Sequence, residues 1–183
     1  MGLNIGIKDI EKKLFADEKN LDTVMSENRK IVRCCSNAIK AMHSYNLAEA
    51  KKSLKEAKEG LDQLVKLQED FPAQLDHVFQ EYSEACIVLS AIEEKKIPSY
   101  KDLKVPQIPF VLGLLDAIGE LKREMYESLR KNKRKDAEAY FALMEAIYDE
   151  LLPLRFSNAV LPEFRRKQDV GRIQIEQARG ELI

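Results

Sequence analysis

Two pairs of carboxylates stand in surroundings that are otherwise apolar. Between Pro106 and Leu121 the only ionisable side chains are Asp116 and Glu120. They are four apart, so on a helix they share one face. Gly113 lies one turn before Asp116, and Gly119 directly precedes Glu120. Each glycine costs a helix about 1 kcal/mol relative to alanine. A helix that carries both implies a close approach there, by another backbone or by a ligand. The second pair is Glu81 and Glu84 in FQEYSEACIVLSAI, three apart and followed by a largely apolar run from Ala85 to Ile92. If these two segments are neighbouring helices, four carboxylates converge on one pocket. An oxygen-only set of that kind suits Mg²⁺ or Mn²⁺. A metal there could activate water and stabilise the charge of a phosphodiester transition state. Neither pair contains Glu-x-x-His, so the pattern is not that of a di-iron carboxylate bundle. Spacing alone equally fits a solvated polar face of Asp116, Glu120, Arg123 and Glu127, with Glu120 paired to Arg123. Both readings stand at this point.

The elements that must position these residues are helices. Apolar residues recur at helical spacing and no period-2 strand pattern bounded by hairpin turns occurs. A first long helix is expected over 7–44, with Val24, Ile31, Cys35, Ala38 and Met42 on its apolar stripe. Asn46 is an N-cap for a second helix over 47–70, which ends before Pro72. A third covers 73–95, with Leu75, Val78, Phe79, Tyr82, Cys86, Leu89 and Ile92 on its buried stripe. Pro98, Pro106 and Pro109 interrupt the helical pattern after it, and Ser99 with Asp102 can cap one short turn. Further helices are expected over 108–131, over 134–157 with a kink or break at Pro153, and over 161–181. Short connections between long helices imply an all-α antiparallel bundle.

Composition limits the possible functions. The chain has 183 residues, the size of one domain, and reads as a single helical domain over 1–183. Its 30 Lys and Arg balance 31 Asp and Glu, so any nucleic-acid surface must be a local patch. The hydrophobic share of 45% supports a sizeable core and argues against disorder. No apolar run is long enough for a membrane span, and the N-terminus lacks a signal-peptide core. Cys34, Cys35 and Cys86 form no CxxC motif and read as reduced thiols, which points to the cytoplasm. With only His43 and His77, a His-rich zinc site is excluded. Both histidines read as surface or interface residues.

Basic residues form local patches. Arg29, Arg33, Ser36, Lys40 and His43 make one polar stripe on the first helix, opposite the apolar one. Such a stripe can track a phosphate backbone, or it can be an ordinary solvated face. Lys131, Lys133, Arg134 and Lys135 fall in a helix-helix turn, where cations favour the preceding helix C-terminus. In the last helix Asp169–Arg172 and Glu176–Arg179 are spaced for i,i+3 pairs. That helix suits an oligomer contact as well as a ligand surface. No Ser/His/Asp or Cys/His set, P-loop or GxGxxG motif is present.

The motifs QEYSEA at 80–85 and LGLLDAIGELKR at 112–123 resemble the translin and translin-associated factor X family. IYDEL at 147–151 and RRKQDV through IEQARGEL at the end are similar too, so the resemblance runs from Arg29 to Leu182. The short length is that of an archaeal-type member of the factor X branch. The resemblance implies about seven helices in an α-α superhelical bundle. It implies a closed, hollow homo-oligomer, commonly an octamer, that binds single-stranded RNA or DNA inside. The factor X branch is an Mg²⁺-dependent endoribonuclease, and its acidic positions fall on Glu81, Glu84, Asp116 and Glu120. The translin branch binds nucleic acid without this full set. The family's nucleic-acid surface is basic and faces the cavity, and the stripe of Arg29, Arg33 and Lys40 is its counterpart here by pattern.

The expectation is therefore an Mg²⁺- or Mn²⁺-dependent endoribonuclease on single-stranded RNA, with those four acids as metal ligands and catalytic groups. The alternative is a non-catalytic single-stranded RNA- or DNA-binding protein of the translin type. A purely structural helical scaffold would show no salt-dependent oligonucleotide binding.

Overall fold

A computed structural model describes residues 5–67 and 69–182. It contains seven α-helices, and no strand occurs among the described residues. Helix α1, Ile7–His43, starts after Gly6 in the left-handed region and carries Lys40 and His43 in its last turn, where cations complement the helix dipole. Val24, Ile31, Cys35, Ala38 and Met42 are all buried, as the expected stripe requires. A tight turn through Tyr45, at φ 58°, reverses the chain. The Asn46 side chain then accepts from the Glu49 N–H at 3.2 Å and caps α2, Leu47–Leu64.

Helix α2 is shorter than the expected 47–70, because its last turn tightens into a 3₁₀ turn over Val65–Leu67. Pro72 then opens α3, Pro72–Ile92, at a position where no intrahelical N–H is needed. The single stripe expected on α3 is corrected. Cys86, Leu89 and Ile92 are only half-buried, while Ser83, Ala85, Ile87, Val88 and Ala91 are buried as well. The reason is position: α3 packs against α1, α2 and α5 together, so more than one face is covered.

The proline-rich stretch holds one short helix, α4, Tyr100–Leu103, opened by a Ser99–Asp102 capping box. Helix α5 is Gln107–Arg130 and α6 is Arg134–Leu151. The break expected at Pro153 occurs, and the residues from there to 157 are not helical. Pro153 lacks the N–H for the next backbone bond, and the helix ends ahead of it. Helix α7, Phe164–Glu181, starts three residues later than expected, because Glu163 adopts a left-handed conformation at φ 59°.

Two close packings set the site. At Gly113 a Cβ would stand 2.8 Å from the Gln80 carbonyl oxygen and 2.9 Å from the Ser83 Cβ, so only glycine lets α5 lie against α3 there. The close approach inferred from that glycine is thus to a backbone. Helices α5 and α7 run parallel, with Asp116 beside Lys167 and Gly119 beside Gln174. The three cysteines are free thiols. No described helix is long and apolar enough to cross a membrane.

Candidate functional site

The packing of α3, α5 and α7 leaves an open cleft of about 790 Å³, lined by Glu81 and Glu84 from α3 and by Asp116 and Glu120 from α5. All four carboxylates expected from the sequence therefore share one cavity. Helix α7 and the turn before it close the far wall with Glu163, Arg166, Lys167 and Gln174, and His77 joins from α3. Apolar residues Ile108, Leu112 and Leu115 line the cleft beside them and lower the local polarity.

Each acid has its own environment. Asp116 accepts from Gln80 Nε2 at 2.6 Å on one oxygen and from Lys167 Nζ at 2.5 Å on the other. Glu120 accepts from His43 Nε2 at 2.6 Å, and this hydrogen bond holds its carboxyl below the usual range. The expected Glu120–Arg123 pair is replaced by this contact. Glu81 lies 3.8 Å from His77 Nε2, yet burial leaves its carboxyl raised. No side chain among the described residues pairs with Glu84. Burial first, then the charges of Asp116, Glu81 and Glu120, push its carboxyl up to about 8, against the opposing pull of Lys167.

His43 is the residue that sequence reasoning missed. It lies at the end of α1 with its side chain 7% exposed, and both ring nitrogens meet carboxylates. Nδ1 stands 2.5 Å from Glu124, a buried acid one helical turn beyond Glu120. Two acceptors call for two N–H donors, which only imidazolium provides. Those two hydrogen bonds raise His43 to about 9 in spite of burial. His77, also assigned to the surface, is exposed but lines the cleft. No local signal in the sequence marks His43, because its partners lie far along the chain.

Arg29, Arg33 and Lys40 are exposed on α1, and none of them lines the cleft. The cations that do line it are Arg166 and Lys167 of α7. In the rest of α7 the expected i,i+3 pairs are replaced by Arg172–Glu176 and by Arg179–Glu145, because the neighbouring α6 supplies the second partner.

The donor set is chemically right for a hard divalent cation: four carboxylates in one half-buried cleft, with one of them unpaired. As placed, no group of three or more His, Cys, Asp or Glu side chains among the described residues is gathered tightly enough to hold an ion. Two of the four are engaged instead by cationic side chains, Lys167 on Asp116 and His43 on Glu120. The cleft thus attracts positive charge, and the chain itself supplies some of it.

No family model matches the chain. An uncharacterized protein of Methanocaldococcus jannaschii, MJ0175, is 33% identical over 172 residues, covering 90% of this chain and 77% of that protein. Among solved structures, AfC3PO in complex with duplex RNA superposes with a TM-score of 0.90 at 27% identity, covering 97% of this chain and 95% of that one. AfC3PO solved alone gives a TM-score of 0.83 at 28% identity, over 96% of this chain and 92% of that one. The apo form of NeC3PO gives 0.89 at 20% identity over the whole chain and 98% of that one, a likeness of fold. The chain belongs to the same family as MJ0175, and its architecture is the translin/C3PO helical fold.

Proposed function

We propose that this protein is a divalent-metal-dependent endoribonuclease acting on single-stranded RNA, as an archaeal-type member of the translin-associated factor X branch. The observation that carries this reading is the convergence of Glu81, Glu84, Asp116 and Glu120 on one cleft. The RNA-bound AfC3PO neighbour supports an RNA substrate. These four side chains would hold one or two Mg²⁺ or Mn²⁺. When bound, the ion supplies an activated water and charge neutralisation at the phosphodiester. One of these carboxylates would orient or deprotonate the attacking water, and the cation would favour the ionised form of Glu84, which burial and its acidic neighbours otherwise push up to about 8. His43 holds Glu120 in orientation from behind. Arg29, Arg33 and Lys40 would position the strand through its phosphates, outside the cleft. The self-association that goes with this reading is a closed homo-oligomer, an octamer, enclosing the RNA. Its location would be the cytoplasm.

A second reading is a non-catalytic single-stranded RNA- or DNA-binding protein of the translin type. It is favoured by one observation: Lys167 and His43 already neutralise two of the four acids. Incubating a labelled single-stranded RNA and a labelled duplex with the protein, in Mg²⁺ and in EDTA, separates the two. The nuclease reading expects cleavage of the single strand in Mg²⁺ and none in EDTA. RNA bound but left whole in both would establish the binding-only reading.

A further inference from the structure

We propose that Lys167 is the resident counter-ion of the acidic cleft, displaced from Asp116 by the incoming divalent cation and thereby freed to bind a phosphate oxygen of the RNA strand. The inference rests on the metal-dependent reading above and adds a residue that neither the acidic motifs nor the basic stripe contains.

Three observations carry it. First, Lys167 differs from its neighbours. Arg165 and Arg166 are exposed, whereas the Lys167 side chain is only 17% exposed and turns into the cleft. Second, its ammonium lies 2.5 Å from one oxygen of Asp116 while Gln80 holds the other at 2.6 Å. Each Asp116 oxygen already accepts from one donor at close range, so a metal that takes this carboxylate through its remaining lone pairs must sit beside one of the two. The neutral Gln80 amide can stay on its own oxygen. The ammonium cannot remain beside a doubly charged ion, because like charges at that distance repel strongly. Third, the groups facing Lys167 are almost all acids: Asp116 of α5, Glu81 and Glu84 of α3, and Glu163 just before α7. A lysine is suited to such an exchange. Its charge sits on a flexible four-carbon stem and can swing within the same cleft without moving the helix. Once released, it stands at the edge of the metal site, where the anionic strand must pass. The arrangement would also keep the cleft from repelling RNA before the metal is bound.

The sign of the effect distinguishes this role from a merely structural one. A lysine that only scaffolds the site should, when removed, loosen the acids and weaken metal binding. A displaceable counter-ion should, when removed, strengthen it. The test is Mn²⁺ affinity of the RNA-free protein, read by electron paramagnetic resonance, for the unmodified chain, Lys167→Met and Lys167→Gln. The glutamine keeps a hydrogen-bond donor for Asp116 without the charge, so it guards against local collapse in the methionine variant. Both variants should bind Mn²⁺ more tightly, on the order of tenfold. At saturating metal both should bind single-stranded RNA more weakly, with a shallower salt dependence. Unchanged or weaker Mn²⁺ binding in both variants, with binding intact in the unmodified protein, would overturn the role of Lys167 alone. No Mn²⁺ binding by any of the three would overturn the metal-dependent reading and this inference with it.

Discussion

His43 Nδ1 stands 2.5 Å from the carboxylate of Glu124, and the two side chains are 7% and 3% exposed. This buried pair anchors the end of α1 to the second half of α5, and the same imidazole reaches Glu120, which lines the cleft. Removing one member leaves the other charge buried without a partner. His43→Leu should therefore cost about 3 kcal/mol, read as a lower urea midpoint. The double change His43→Leu with Glu124→Leu should recover most of that loss.

The same pair makes stability depend on pH. The His43 proton is held more tightly in the folded protein, with its pKa moved from the usual 6.5 to about 9. Its contribution is complete below pH 6.5 and is lost as the pH rises through about 9. Urea unfolding in EDTA should show stability falling across that window. His43→Gln, which does not titrate, should flatten the fall.

Gly113 and Gly119 should respond in opposite ways to alanine. A Cβ at Gly113 would meet backbone atoms of Gln80 and Glu84, which cannot yield without separating α3 from α5. Gly113→Ala should lower stability by about 2 kcal/mol or more. A Cβ at Gly119 would meet only the end of the Gln174 side chain, at 3.1 Å. That side chain can turn away, so Gly119→Ala should be neutral or gain up to about 1 kcal/mol of helix propensity. Thermal melts of the two variants test the contrast.

Much of this is legible in the sequence. Asp116 and Glu120 are conspicuous because nothing else from Pro106 to Leu121 can ionise. Gly113 announces a close approach, and the Asn46 and Ser99 caps mark two helix starts correctly. The features that stay hidden depend on partners distant along the chain. His43 acquires its role from residues 77 and 81 positions away, and Lys167 from one 51 positions away. Helical periodicity says which face a residue occupies, not which helix packs on that face. The break of α6 at Pro153 is as expected, but the start of α7 differs from expectation for a related reason. An apolar pattern continues past Pro153 and before Phe164, but the backbone at Pro153 and Glu163 does not stay helical.

The basic stripe of α1 makes a separate expectation about RNA. Replacing Arg29, Arg33 and Lys40 together by Gln should weaken RNA binding uniformly across sequences. The slope of log K against log salt should fall by about 0.7 for each single-strand phosphate no longer neutralised. Because none of the three lines the cleft, Mn²⁺ affinity should not change. Filter binding across a salt series checks the first part, and a metal titration the second.

The most direct test of the acidic cleft is cleavage of a labelled single-stranded RNA in Mg²⁺ by the unmodified protein and by the Glu81→Gln/Glu84→Gln variant, with RNA binding measured in parallel. The nuclease reading expects cleavage by the unmodified protein and none by the variant, with the variant still binding RNA. Equal cleavage by both proteins would contradict it.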